Sequence, residues 1–482
     1  MAKDEEVRKI SIQHNEHFIS KETSAIKLDP HGYHLRPQPS NDPMDPLTWS
    51  IGLKLWILFQ VSFLAFLGPF TMAIIDSAFH PLSVDLNISI VEASYQTTIP
   101  IAFAGAAPLI WSPISNVYGR RPIFIFVTAF GVAMHTASGA IKSCGGILAA
   151  RCFVGIGSSA GMGIGAAVVA DLFFMHERGR YMGFYVVFVS NGAHLAAVIG
   201  GFVAKYASWR WCYYLGAISL GTCWILNVFC TKPAWTRLLN FRSVQKHRKL
   251  KLWDFSHCFI MLKYPSVTFP LICYALGFGF GSVLFAVTGA AAFGAASKYH
   301  FDTVGVGLAI GLSTFVGTLL GELFSGPVSD YLVLLHRKRH DGKLVAEARL
   351  HGMWPGFVLL PIGIIIEGVT LQKDAHWMGP VMGIGIAALG LQIVSTNIFA
   401  YITDCYKPRS AEISTLLNVG RQTFSFTLGF YALPFAKETS FGLAWGVFAI
   451  IQTLSFVPLV VLMWKGKAWG EKLGGPKWDR DL

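Results

Sequence analysis

The sequence predicts an all-α membrane protein whose twelve transmembrane helices form two pseudo-symmetric six-helix bundles, and three observations support this prediction. Hydrophobic residues make up 53% of the 482 residues and charged residues only 14%, against about a quarter in a soluble globular chain. The 49 glycines agree, because glycine is frequent in membrane helices and lets them approach closely. Two similar segments about half a protein apart indicate an internal duplication: Ser112-Pro113-Ile114-Ser115-Asn116 and Gly326-Pro327-Val328-Ser329-Asp330.

Twelve apolar stretches each have about the 20 residues that a helix needs to cross a bilayer. The predicted spans cover residues 51–75, 94–114, 121–141, 146–170, 180–204, 208–230, 268–293, 303–327, 353–371, 376–402, 412–436 and 440–464. The first six give an N-terminal bundle over residues 49–230, and the last six give a C-terminal bundle over residues 267–466. A basic cytoplasmic linker, residues 231–266, joins the bundles, and residues 1–48 and 467–482 are predicted to be cytoplasmic tails.

The distribution of the cations predicts the orientation of the chain, with both termini in the cytoplasm. Most of the 39 Lys and Arg residues fall in segments that this topology places inside, and six fall outside: Lys142, Lys205, Arg210, Lys298, Lys373 and Lys437. This is the bias of the positive-inside rule. The formal charge of +12 is therefore a signal of topology, and we expect no nucleic-acid partner. The sequon at Asn87 falls in the first external loop and is a predicted N-glycosylation site.

Several classes of protein are disfavoured by patterns that the sequence lacks. The first 48 residues are polar, without the apolar core of a signal peptide. The eight cysteines show no CxxC pairing, which argues against a disulfide framework or a metal site. The sequence contains no Walker-type string for nucleotide binding, no His-rich box and no nucleophile placed beside a partner. We therefore predict no cofactor, no metal and no enzymatic activity.

Four local patterns in or beside the spans carry most of the functional information. The turn between spans two and three contains Ser112, Asn116, Gly119, Arg120 and Arg121. The other three patterns are Arg151-Cys152-Phe153-Val154-Gly155-Ile156-Gly157 in span four, Gly192-Ala193-His194-Leu195-Ala196-Ala197-Val198-Ile199-Gly200-Gly201 in span five, and Asp42-Pro43-Met44-Asp45-Pro46-Leu47-Thr48-Trp49 before span one.

On these patterns residues 42–466 resemble the major facilitator superfamily and, within it, the fungal twelve-span drug/proton antiporters. The resemblance implies the major facilitator fold and a proton-coupled carrier. The family's turn has Gly and Asp where this chain has Ser112 and Asn116, and its antiporter motif has Gly-Pro where this chain has Ala196-Ala197. Small residues in span five still allow tight helix packing, but the missing proline removes a kink.

The turn between spans two and three is interpreted as a conformational latch. Arginines at this position can hydrogen-bond carbonyls at helix ends and hold neighbouring spans in one conformation. The alternative is that they only set the topology. The predicted latch residues are Gly119, Arg120, Arg121 and, in the second copy of the turn, Asp330.

Polar residues within the spans are candidates for a substrate and proton cleft, because an ionised group in hydrocarbon is costly unless it faces a cavity or a partner. The candidates are Arg151, Arg421, Glu322, His194, Asn191, Asn418, Asn397 and Asp76. Arg151 is expected to point into the central cleft, and the resemblance associates it with proton coupling or substrate contact. Each has a structural alternative: Arg151 as a partner for helix carbonyls, Glu322 as a partner of an arginine, His194 as a packing residue, and Asp76 as a residue near the outer interface.

The combined prediction is a monomeric, proton-coupled secondary transporter of the fungal plasma membrane that exports a small organic compound, metabolite or drug by alternating access. Its predicted partners are the substrate, protons and the lipid bilayer. Two arginines at one cleft would favour an anionic substrate such as an organic acid. A proton symporter that imports a nutrient such as a polyamine or organic acid stays open because of Ala196-Ala197. A membrane-bound enzyme and a transporter-like sensor are alternatives from other classes.

Overall fold

The computed structural model describes residues 45–229, 255–295, 297–339, 346–406 and 410–473. These residues form helices and short connections, with no strand among them. Ten helical segments of this part are long and apolar enough to cross a bilayer. Two further long helices, Trp209–Phe229 and Ser410–Glu438, bring the fold to the twelve membrane helices that the sequence predicts.

The N-terminal half contains the first six membrane helices, two of which are interrupted. They are α1 (Ile51–Ala73), α2 (Ile90–Ala106, continued by Pro108–Tyr118), α3 (Arg120–Ala140), α4 (Cys144–Ser158, continued by Ala160–Leu172), α5 (Met175–Tyr206) and α6 (Trp209–Phe229). After α1 the chain continues through a 3-10 turn, Asp76–Ala78, and a short helix, Phe79–Leu86. We call the end of the molecule that carries this α1–α2 connection the outer end, and the opposite end the inner end.

The C-terminal half contains the other six membrane helices, and α7 and α8 each include a π-helical turn. They are α7 (Pro265–Phe278, Gly279–Val283 and Leu284–Phe293), α8 (Thr303–Gly307, Leu308–Leu312 and Ser313–Arg339), α9 (Trp354–Gln372), α10 (Met378–Cys405), α11 (Ser410–Glu438) and α12 (Phe441–Leu473). Short helical turns at His257–Ile260, Met261–Lys263 and Ala346–Met353 lie at the inner end.

Local sequence explains where two of these helices begin. Ser89 Oγ accepts a hydrogen bond from Glu92 N at 3.1 Å, and Glu92 Oε2 accepts one from Ser89 N at 2.8 Å. This reciprocal capping box satisfies amide groups that the first turn of α2 leaves free. Gly119 separates α2 from α3 with φ of 92°, a conformation that glycine adopts without a Cβ clash.

The apolar core of the C-terminal half also includes Met72, Ile101, Ala104 and Met162 of the N-terminal half, which has two further apolar clusters. Large apolar side chains also cover the outside. Phe126 on α3, Ile450 on α12 and Leu454 on α12 are 61–63% exposed. In a soluble protein such a surface would be costly, whereas in a bilayer it faces hydrocarbon. The burial pattern therefore agrees with a membrane protein.

The two halves meet chiefly along three helix pairs, α2 with α11, α4 with α11 and α5 with α8. At the outer end, Lys205 on α5 forms an ion pair with Asp302 before α8, and Thr303 Oγ1 donates to the carbonyl oxygen of Gly201 at 3.2 Å. The outer segment of α7, Leu284–Phe293, also contacts the Asp76–Ala78 turn. The halves are thus closed against each other at the outer end.

Some predicted boundaries differ from the structure or fall outside it. The last helix continues to Leu473, beyond the predicted span end at residue 464, and Trp469 packs against Phe269 of α7 with 6.2 Å between ring centroids. This contact keeps the start of the predicted C-terminal tail helical. The predicted N-terminal tail up to residue 44, most of the basic linker (residues 231–254) and the predicted C-terminal tail from residue 474 lie outside the described residues.

Candidate functional site

A cavity of about 50 Å³ lies between the two halves, lined by α1, α2 and α5 on one side and by α7, α8 and α11 on the other. Its polar lining side chains are Asp76, Thr97, His194, Ser282, Thr314, Arg421 and Gln422. One water occupies about 30 Å³, and small-molecule sites usually have about 300–1,000 Å³. The cavity as it stands is therefore too small for an organic solute, and the halves must move apart to admit one.

Interrupted helices surround this cavity. Pro69 of α1 lies in the wall, and the π-helical turns of α7 and α8 supply Ser282, Val283, Ile310 and Gly311. Such turns are often found at functional sites, because they change the direction of side chains within a helix. The helices that line the cavity are therefore irregular where the two halves face each other.

Arg421 on α11 is the cation of the cavity wall, and its side chain is only 4% exposed. Its contacts are neutral: Asn418 Oδ1 accepts from Nη2 at 3.1 Å, Tyr274 Oη lies 3.4 Å from Nη1, and Met162 Sδ lies 3.6 Å from Nη2. The guanidinium carbon also lies 4.6 Å from the centre of the Phe278 ring. Within the described part of the chain Arg421 forms no ion pair.

Asp76 lies on the same cavity wall, where its carboxylate accepts a hydrogen bond from Thr97 of α2. The sequence predicts span one to end at residue 75, which favours a structural position near the outer interface. The structure corrects this, because the helical path continues from α1 to Leu86 and leaves Asp76 with 1% exposure. Asp76 is thereby placed opposite the C-terminal half.

Arg151 on α4 differs from the prediction that it points into the central cleft. Its guanidinium donates to three backbone carbonyl oxygens, at Gln96 (2.6 Å), Thr71 (3.0 Å) and Met72 (2.6 Å). The side chain is fully buried inside the N-terminal half and does not line the cavity. The carbonyls of α1 and α2 satisfy its donors there, so the structure contains one cavity arginine where the sequence suggests two.

His194 and Asn191 are both on the side of α5 that faces α8. His194 lines the cavity, and its imidazole makes no hydrogen bond to any described residue. Asn191 Oδ1 accepts a hydrogen bond from Thr318 Oγ1 of α8 at 2.7 Å. Asn191 therefore joins the two halves, whereas His194 is open to whatever occupies the cavity.

Glu322 and Asn397 lie between α8 and α10 and do not line the cavity. Glu322 Oε2 accepts hydrogen bonds from Gln392 Nε2 and Thr396 Oγ1, both at 2.6 Å. These neutral partners take the place of the arginine that the sequence suggests as one alternative. Asn397 Nδ2 donates to Ser325 Oγ at 3.0 Å. Both residues connect helices within the C-terminal half.

The predicted latch residues lie at the inner end. Arg121 Nη2 donates to the carbonyl oxygen of Val228 at 3.1 Å, in the last turn of α6. Arg120 Nη2 lies 2.8 Å from Asp171 Oδ2 at the end of α4, and the charge of Glu412 on α11 also acts on it. Arg120 thus faces both halves. Asp330 belongs to α8, and its side chain lies outside the described residues.

The small residues of the span-five motif pack against neighbouring backbone. An added Cβ on Gly192 or Gly200 would clash with carbonyl oxygens of α1, and one on Gly201 would lie 2.5 Å from the carbonyl oxygen of Thr303. From the other half, Gly307 and Gly311 approach the carbonyl oxygens of Ala197 and His194 in the same way. Tight contact between α5 and α8 therefore forms without the family's Gly-Pro pair.

Two buried ionisable residues are absent from the sequence-based candidates. His135 of α3 is fully buried, and neither ring nitrogen has a hydrogen-bond partner among the described residues. Glu367 of α9 accepts a hydrogen bond from Trp445 Nε1 at 2.7 Å, with both side chains buried. Both positions fall inside predicted spans, so the rule that ionisable residues at depth are candidates would have identified them.

The chain is similar to known transporters in sequence and in fold. The chain is 28% identical over 447 residues to an MFS transporter of Aspergillus oryzae, with 87% of each chain covered. It is 24% identical over 415 residues to a protein named "Probable efflux pump" in Aspergillus flavus, covering 82% of this chain and 97% of the relative. A partially occluded, inward-open structure of the xylose transporter of E. coli matches with a TM-score of 0.61 at 14% identity, covering 86% and 98% of the two chains.

The similarity to a solved structure shows the fold, and the family model shows the family. The model of the Major Facilitator Superfamily matches residues 61–430 of this chain, which is more than half of its length. The chain is therefore a multi-pass membrane transporter rather than an enzyme, and it belongs to the Major Facilitator Superfamily.

Proposed function

We propose that this transporter is proton-coupled and exports a small organic anion, such as an organic acid, across the plasma membrane by alternating access. The observation that carries the substrate class is Arg421, a buried guanidinium on the cavity wall without an ion pair in the described part of the chain. A buried cation is costly when unpaired. A substrate carboxylate that enters the cavity would neutralise it with charge-assisted hydrogen bonds.

Asp76 and His194 are the proposed proton carriers. Both side chains line the cavity that holds Arg421, so a proton bound there would change the charge that a substrate meets. A carboxylate or an imidazole can bind a proton in one facing state and release it in the other when its surroundings change. The relative named "Probable efflux pump" supports export as the direction.

Transport by the purified protein in liposomes tests this function. An imposed pH gradient should drive uptake or release of a labelled organic acid, with proton movement followed by an entrapped pH-sensitive dye. The R421A variant should lose the preference for the acid over its uncharged amide, since the cavity cation is gone. The control is R210A, because Arg210 lies outside the cavity and donates to a carbonyl oxygen at Ile141. Unchanged acid preference in R421A would remove the argument for an anionic substrate.

A proton symporter that imports a nutrient such as a polyamine or organic acid is the second candidate. The observation that favours it is α5, which runs without interruption from Met175 to Tyr206 through Ala196-Ala197, where the antiporter motif has Gly-Pro. The direction is decided in intact cells. External acidification should lower accumulation of the substrate if the transporter is an antiporting exporter, and should raise it if the transporter is a symporter.

A further inference from the structure

Asn418 accepts two hydrogen bonds from the guanidinium of Arg421, a cation that commonly pairs with a carboxylate. The two residues are one turn apart on α11, and Asn418 Oδ1 accepts from both Arg421 Nε (3.3 Å) and Arg421 Nη2 (3.1 Å). Arginine commonly donates two parallel hydrogen bonds to two oxygens of Asp, Glu or phosphate. Here a single neutral amide oxygen accepts both bonds, so the guanidinium is held without a negative charge beside it.

The other groups in direct contact with the Arg421 guanidinium are also uncharged. A phenol, a thioether and an aromatic ring contact the guanidinium, from Tyr274, Met162 and Phe278. These groups orient the side chain and carry no formal charge opposite to it. An Asp at position 418 would satisfy the same donors and neutralise the cation, whereas Asn satisfies them and leaves the cation available.

The other end of the Asn418 amide reaches across the interface between the halves. Asn418 Nδ2 donates to the carbonyl oxygen of Ala104 on α2 at 3.3 Å. Met162, which contacts Arg421 Nη2, also belongs to the N-terminal half. The orientation of Arg421 is thus tied to the contacts of α11 with α2 and α4, which are two of the helix pairs along which the halves meet.

We infer that Asn418 is a positioning residue that orients Arg421 while leaving the positive charge free for an acidic group of the substrate. The inference rests on the proposed transport of an organic anion. It adds that the anion site accepts one small anionic group, such as a single carboxylate, and that it is assembled while α2 and α11 are in contact. Asn418 does not bind the substrate itself: it orients Arg421 and adds no negative charge to the cavity.

The test compares an organic acid with its uncharged primary amide in liposomes that contain N418D, N418A or R421Q. In N418D the new carboxylate should pair with Arg421 and reduce the acid-to-amide transport ratio by about tenfold or more, with amide transport retained. In N418A both hydrogen bonds to Arg421 are lost, so KM for the acid should rise while KM for the amide stays the same. N397D is the matched control, because Asn397 is a buried amide away from the cavity, and its ratio should not change.

The outcomes separate this inference from the proposed function. If R421Q keeps the preference for the acid over its amide, the proposal that the substrate is an anion is wrong. If R421Q loses the preference while N418D keeps it, Arg421 binds the substrate but Asn418 does not control its charge, and the inference is overturned. Should N418D fail to fold, the KM for the acid in N418A decides: a KM equal to that of the unmodified protein would overturn the inference.

Discussion

Lys205 at the end of α5 and Asp302 at the start of α8 form an ion pair between the two halves, with 2.6 Å between Lys205 Nζ and Asp302 Oδ2. Asp302 also caps α8, because its Oδ1 accepts from Gly305 N at 2.7 Å. One carboxylate thus holds the start of α8 and its contact with α5. The pair is exposed at the outer end, so its contribution should be modest.

We expect K205A to loosen the outer closure slightly. Replacing Ala286, which lines the cavity, with cysteine gives a site that an impermeant thiol reagent should reach faster from the outer side when Lys205 is removed. The control is K298A, because Lys298 donates to the carbonyl oxygen of Asp374 within the C-terminal half. Equal labelling rates in the two variants would show that the ion pair does not hold the halves.

The outer ion pair should not respond to mild acidification. The hydrogen bond from Lys205, followed by that from the Gly305 amide, lowers the pKa of Asp302 below its ordinary value of 3.8. A lowered pKa means that the stabilisation is present above the ordinary value and is lost only as pH falls through the lowered one. Because the thiolate is the reacting form and its population falls with pH, each labelling rate is compared with that of K205A at the same pH. The ratio of the two rates at position 286 should stay constant between about pH 8 and about pH 5; a ratio that approaches one within that window would contradict this.

G201A should open the outer end more than K205A does. An added Cβ would lie 2.5 Å from the carbonyl oxygen of Thr303 in the other half, and overpacking of this kind typically costs about 1–3 kcal/mol. The clash should push α5 away from α8, raise labelling at position 286 and slow transport. The control G221A adds the same methyl group on α6, where the nearest atom, of Val132, is 4.0 Å away.

R151A should destabilise the protein, and R421A should do so much less. Removing Arg151 takes this donor from the buried carbonyl oxygens of Gln96 and Thr71 and leaves that of Met72 with the 3.4 Å hydrogen bond from Thr97 Oγ1, at about 1–3 kcal/mol for each unsatisfied group. Removing Arg421 deletes a buried charge whose partners are neutral, which is often tolerated. Thermal unfolding in detergent should show a clearly lower midpoint for R151A. Equal midpoints would mean that Arg151 does not hold α1, α2 and α4 together.

The number of helices and the duplication follow from the sequence because long apolar runs have few alternatives to membrane helices. The directions of polar side chains do not follow in the same way. Arg151 and Arg421 look alike as arginines within spans, yet one meets three carbonyl oxygens of its own half and the other meets the cavity. Only the packing of neighbouring helices, which hydropathy does not report, distinguishes the two environments.

The position of Asp76 shows a second limit of sequence reasoning. A window of apolar residues ends near this aspartate, but the helical path continues to Leu86, because the polar side chains there are buried between helices rather than exposed to water. Hydropathy measures composition, whereas the depth of a residue in the membrane depends on how far the helical path extends beyond it. The position of His194 within span five predicts that it lies in the cleft. That its imidazole lines the cavity without a hydrogen-bond partner among the described residues follows only from the structure.

The π-helical turns Gly279–Val283 in α7 and Leu308–Leu312 in α8 each contain one residue more than a regular turn needs. Moving that surplus residue one place along a helix would rotate the intervening side chain by about 100°. Ile310 and Gly311 could then be exchanged for neighbours on the binding surface while both bundles stayed in place. Such a shift would change the lining of the cavity locally without a different backbone fold.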